Sequence, residues 1–207
     1  MVATYTELKS LVADYLNRAD LSAQIDTFID LAEAKFNRDL RLRRMLKTVQ
    51  ATTAASDNTV SLPTDYLEMK ELHIVQSPIK MLRFFPPSSF LQTYAAQQVG
   101  TPAAFTIVGD DIRLGPTPSG VFTLEMLYFA KIPALSDSNA VNVVLQDAPD
   151  AYVYGALLEA EPFLMNDARL QTWASLHRAS MESLIASDES GLNTSSTLSQ
   201  RLDYTMA

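Results

Sequence analysis

The chain has 207 residues, 47% of them hydrophobic and 19% charged, with sixteen basic and twenty-four acidic side chains and a net charge of −8. This is an ordinary globular composition, and a chain of this length can bury roughly 70% of its unfolded surface. The absence of cysteine excludes disulfides, thiolate nucleophiles and thiolate zinc sites. The two histidines, His73 and His177, are too few for a multi-histidine metal site, and the acidic balance argues against non-specific duplex binding by the whole surface.

The first residues show no basic stretch leading into an apolar one, so no signal peptide is expected. The longest mostly apolar stretch, 145–165, is interrupted by Asp147, Asp150, Glu159, Glu161 and two prolines, far from the ~20 uncharged residues of a membrane helix. The expectation is a soluble, cytosolic chain with no membrane partner. Charge is uneven along it. Residues 1–50 hold eight basic and seven acidic side chains, while the rest hold eight and seventeen.

Thr4 and Glu7 have capping-box spacing, and Leu8, Leu11, Val12, Tyr15 and Leu16 form one apolar face of a first helix. Asp20 or Ser22 can cap a second, whose stripe of Ile25, Phe28, Ile29, Ala32, Phe36 and Leu40 predicts a helix to about Leu46, folded back on the first. From residue 48 β-branched residues dominate. Strands are expected over 48–54 and 59–62 with a turn at Asp57-Asn58, then over 69–76 and 79–84. Pro86-Pro87-Ser88-Ser89 opens a short helix to Ala96. Strands 105–108 and 111–114 join through Gly109-Asp110 as a hairpin, and 121–132 is a further strand whose two faces are both fairly apolar. Beyond the polar link 136–142, two helices are expected, from Asp147 or Asp150 to Leu164 and from Asp167 to about Ala186. Residues 188–207, rich in Ser, Thr and Asn, read as an extended tail whose leucines suggest docking.

Chemistry is hard to find in this pattern. Gly109-Asp110-Asp111 is what a hairpin tip requires. Glu159 and Glu161 fall on opposite helix faces, and Glu182 lacks a histidine three residues on. His73 and His177 read as structural or surface residues, and no glycine-rich phosphate loop is present. No catalytic residue, metal ligand or cofactor is expected. The exception is the basic run Lys35, Arg38, Arg41, Arg43, Arg44 and Lys47, placed at the end of the second helix. It can complement the helix dipole, meet acidic patches on a neighbouring subunit, or bind nucleic-acid phosphates. Four of the six are arginine, which favours bidentate carboxylate pairing at a protein interface.

The order of segments resembles the head-to-tail adaptors of tailed bacteriophages. The likeness runs through Tyr5-Thr6-Glu7-Leu8-Lys9, Asp14-Tyr15-Leu16-Asn17-Arg18, Phe28-Ile29-Asp30-Leu31-Ala32-Glu33-Ala34-Lys35-Phe36, Ser61-Leu62-Pro63-Thr64-Asp65-Tyr66, the hairpin flanked by Gly100-Thr101-Pro102 and Leu114-Gly115-Pro116, Leu127-Tyr128-Phe129-Ala130-Lys131-Ile132-Pro133, and Tyr154-Gly155-Ala156-Leu157-Leu158. It covers most of residues 4–185 and leaves the tail unmatched.

The resemblance implies a non-enzymatic structural virion protein, made in the host cytoplasm. It would form a ring, usually of twelve copies, between portal protein and tail or nozzle protein, with genomic DNA passing through the lumen without sequence-specific binding. The fold expected is α+β. A helical bundle is built from 1–47 and 146–187, a β-rich antiparallel insertion spans 48–135, and an extended tail spans 188–207. The basic run is then a candidate subunit interface, and Leu192, Leu198, Leu202 and Tyr204 a candidate portal- or neighbour-binding tail. The alternative is a nucleic-acid-binding module using 35–47.

Overall fold

The computed structural model describes residues 2–18, 20–94, 98–164 and 169–193, with side chains as far as residue 190. The fold is α+β, in two compact units. One combines the described residues of Met1–Arg43 and Ile132–Ala207 and is helical; the other, Arg44–Lys131, is β-rich and falls between them in sequence.

In the helical unit, α1 (Tyr5–Leu16) is capped by Thr4, whose hydroxyl accepts the Glu7 N–H, while the Glu7 carboxylate takes the Ala3 N–H at 2.7 Å. Tyr5, Leu8, Val12 and Leu16 are its buried face; Tyr15, expected on that face, lies at its edge and is 44% exposed. The second helix, α2 (Ser22–Asp39), buries Ile25, Phe28, Ile29, Ala32 and Phe36 as the stripe predicts. Its first residue is preceded by Leu21, and neither expected cap forms. Asp20 instead accepts two hydrogen bonds from the Arg18 guanidinium, which hold its carboxyl down to about 2.

The helix α4 (Val143–Asp147) is capped by the Asn142 side chain and leads into α5 (Pro149–Leu164), which is buried on nearly all sides. Small residues make this possible. A Cβ on Gly155 would stand 3.2 Å from the Ala32 Cβ and 3.3 Å from Cε1 of His177, so α2, α5 and the last helix, α6 (Leu170–Asn193), meet at that glycine. The last helix outruns its expected end near Ala186. Asp188, in a stretch whose composition reads as tail, accepts the Arg43 backbone N–H at 3.0 Å and the Arg43 guanidinium at 3.3 Å. No helix among the described residues is long and apolar enough to cross a membrane.

A buried polar network returns the chain from the β-rich unit to the helices. On α2, Glu33 and Asn37 lie one turn apart, and their side chains accept the backbone N–H groups of Leu135 (2.9 Å) and Ile132 (2.8 Å). The Tyr152 hydroxyl donates to Glu33 Oε1 at 3.1 Å, and the Asn142 amide donates to that hydroxyl and to the Pro133 carbonyl. Burial pushes the Glu33 carboxyl up to about 7, only partly offset by these donors, and raises the Tyr152 phenol.

The β-rich unit holds two four-stranded sheets. The first orders β1 (Leu46–Thr52), β10 (Thr123–Ala130), β3 (Tyr66–Ile74) and β4 (Lys80–Met81); the second orders β2 (Thr59–Ser61), β8 (Asp111–Gly115), β7 (Ala104–Val108) and β5 (Arg83–Phe84). A two-stranded pairing joins β6 (Val99–Gly100) to β9 (Thr117–Pro118). Consecutive β1 and β2 do not pair, although a turn separates them; β1 pairs with the distant β10. Register aligns Val49, Met126 and Leu72 in one row and Ala51, Leu124 and Ile74 in the next. These pack with Val60, Phe105, Ile112 and Leu114 of the second sheet into one core. Central in its sheet, β10 alternates fully buried with half-buried residues, which explains its two apolar faces. The expected hairpin forms with Gly109 at φ +64°. Gly115 admits α3 (Pro87–Tyr94), since a Cβ there would lie 2.7 Å from the Tyr94 ring.

Candidate assembly surfaces

The basic run does not form one helical face. Because α2 stops at Asp39 and Leu40 is extended, only Lys35 and Arg38 are helical; Arg43 and Arg44 lie in a 3₁₀ turn and Lys47 in β1. Lys35 pairs with Glu159, Arg43 with Asp188, and Lys47 with Asp65 at 2.6 Å. The Arg41 guanidinium donates to the Asn37 and Leu40 carbonyls, which is the helix-end role expected of the run, performed by one member. Lys35, Arg43 and Lys47 thus answer acids beyond residue 50 of the same chain. Arg38 and Arg44 are exposed.

Several acidic side chains and both imidazoles have local contacts, although Glu161 Oε2 and His73 Nδ1 are buried with no hydrogen-bond partner among the described residues. Asp111 accepts the Ser61 hydroxyl beside the hairpin turn, and Glu182 pairs with Arg178 across one turn. Glu161, fully buried, accepts from the Trp173 indole at 2.8 Å and lies 3.4 Å from Arg169. His177 stands with Nδ1 3.2 Å from the Ala151 carbonyl, and burial pushes its pKa below the usual 6.5. His73 lies 3.5 Å from Glu125 across the sheet. Of the tail residues, Leu192 is placed on α6 by its backbone, while Leu198, Leu202 and Tyr204 lie outside the described residues.

Sequence reading missed the apolar surface. In the helical unit Leu31 and Phe163 are about half exposed; in the β-rich unit Ile79, Met81 and Phe84 come to the surface within one short stretch of chain. Below them opens a groove of about 440 Å³ lined by Tyr66, Met69, Leu72, Phe105 and Ile107. The signal was present in 79–84, where apolar residues fall on both faces of two very short strands.

Large apolar side chains left at the surface are the feature by which proteins commonly meet other proteins. The family described as SU10 adaptor protein matches residues 3–201, and the chain belongs to it. It is a bacteriophage head-to-tail adaptor, a structural component of the virion. No curated protein matches the chain.

Proposed function

We propose that the protein closes into a ring, of twelve copies as is usual for such adaptors, that joins the portal to the tail or nozzle. The genome passes through its lumen without sequence-specific binding. The family match from residue 3 to 201 carries this reading. Copies in a ring meet through two different surfaces of the chain, so each must offer complementary patches rather than one self-complementary face. The half-exposed Leu31, Phe163, Met81 and Phe84 supply apolar area for such contacts. Lys35, Arg38, Arg41, Arg43, Arg44 and Lys47 serve as rim charges at contacts between copies, where such charges tune recognition and association rate more than affinity. Leu192, Leu198, Leu202 and Tyr204 bind the portal or a neighbouring copy. The role needs no catalytic step and no cofactor, and the protein is made in the host cytoplasm before joining the virion. The test is the mass of the purified protein with and without its portal. A defined multimer in either sample supports the reading, and a monomer in both overturns it.

A further inference from the structure

One edge of the β-rich unit is only half covered. The strands β4 and β5 form a single run that passes from the first sheet to the second at Leu82. The Leu82 N–H donates to the Leu72 carbonyl at 2.9 Å, and the N–H groups of Arg83 and Phe85 donate to Ala103 (3.0 Å) and Phe105 (2.9 Å). This run covers β3 only from Leu72 to Ile74 and β7 only at Ala104 and Phe105. Among the described residues no strand lies along the outer edge of β3 at residues 66–71 or of β7 at 106–108. The Tyr66 hydroxyl accepts the Met69 N–H at 2.8 Å, a local substitute for a strand partner. The 440 Å³ groove opens at this uncovered edge, with Met81 and Phe84, each more than half exposed, beside it. The pairing of β10 with β3 shifts register twice along 66–71, so the regular part of the open edge is short; beside an apolar groove it suits an extended segment that makes a few main-chain bonds and sets alternate side chains in the groove.

The geometry points to strand addition at this edge by residues 202–206 of a neighbouring copy. This rests on the ring reading above and deepens it. Leu202-Asp203-Tyr204-Thr205-Met206 alternates apolar and polar at the period of a strand, so its three apolar side chains share one face. Residues 194–201 separate that segment from the end of α6, a reach of up to about 28 Å when extended. The groove lining carries Glu68 and Glu71 against Lys70, a net negative charge that Arg201 beside the segment complements. A tail from one copy entering a groove on the next is a two-surface contact that repeats around a ring.

Two full-length variants separate the halves of the contact. Met81→Lys blocks the groove at an exposed position and leaves the segment intact; Leu202→Asp with Tyr204→Asp blocks the segment and leaves the groove. Each alone should stay monomeric under conditions where the wild type associates, and an equal mixture should give a heterodimer and nothing larger by native mass spectrometry. A labelled peptide of residues 194–207 should bind the segment-blocked variant saturably and lose at least about tenfold in affinity when Met81→Lys is added. A segment-blocked variant that assembles like the wild type, or a peptide that does not bind, overturns the contact and leaves the ring reading standing. A wild type that never associates removes the ring reading, while the peptide still decides the groove. Peptide binding without a heterodimer puts the segment on its own copy's groove and overturns the assignment to a neighbour.

Discussion

Replacing Glu33 by glutamine removes a buried charge while keeping the oxygen that accepts the Leu135 N–H and the Tyr152 hydroxyl. Glu33 is 5% exposed, and burial pushes its carboxyl from 4.5 up to about 7. The folded state therefore holds the proton more tightly than the unfolded state. Its stabilising share is fully present below pH 4.5 and is lost as the pH rises through about 7. At about 1.4 kcal/mol for each pH unit of displacement, the loss is about 3 kcal/mol. The glutamine variant cannot titrate there. Urea unfolding of both proteins from pH 4.5 to 8, followed by the fluorescence of Trp173, the only tryptophan, reads this directly. The stability difference between variant and wild type should move by about 3 kcal/mol in favour of glutamine over that range. A difference that moves by less than about 1 kcal/mol would refute the buried-carboxylate account.

Three further outcomes are expected. Gly115→Ala places a methyl 2.7 Å from the Tyr94 ring and 3.0 Å from the Phe90 ring, so α3 must shift, at a cost of about 1–3 kcal/mol in urea unfolding. Asn142→Ala removes the cap of α4 and the donors to Pro133 and Tyr152, and should lower stability by about 2 kcal/mol, seen as a lower unfolding midpoint with unchanged slope. Arg38→Ser, at an exposed position, should slow assembly and weaken its dependence on salt in light scattering while leaving the unfolding free energy within about 0.5 kcal/mol.

The helical stripes were legible because burial follows the 3.6-residue period, and the stripe of α2 matches its buried residues from Ile25 to Phe36. The hairpin was legible because Gly109, at φ +64°, stands in the turn between two β-prone runs. The end of α2 was not, since no glycine or proline marks it; the available signal was the two-residue spacing of buried Leu40 and Leu42 around exposed Arg41. That error placed the basic run on one helix end. Glu33 falls on the apolar stripe of α2, between Ile29 and Phe36, and a charge in that position announces a buried polar contact even though its partners at Leu135 and Tyr152 are remote in sequence. Pairing of β1 with β10 joins strands more than seventy residues apart, and no local pattern encodes it. The continuation of α6 to Asn193 brings Asp188 to Arg43, a tertiary contact that a tail-like composition does not announce. The apolar groove at the half-covered edge exists only once β4 and β5 are assigned to different sheets.

Electron microscopy of the purified protein mixed with its portal tests the ring-forming adaptor most directly. The account predicts rings of this chain, expected at twelve copies, stacked on the portal with an open central channel. Portal particles that carry no such ring, alongside protein that stays monomeric, would contradict it.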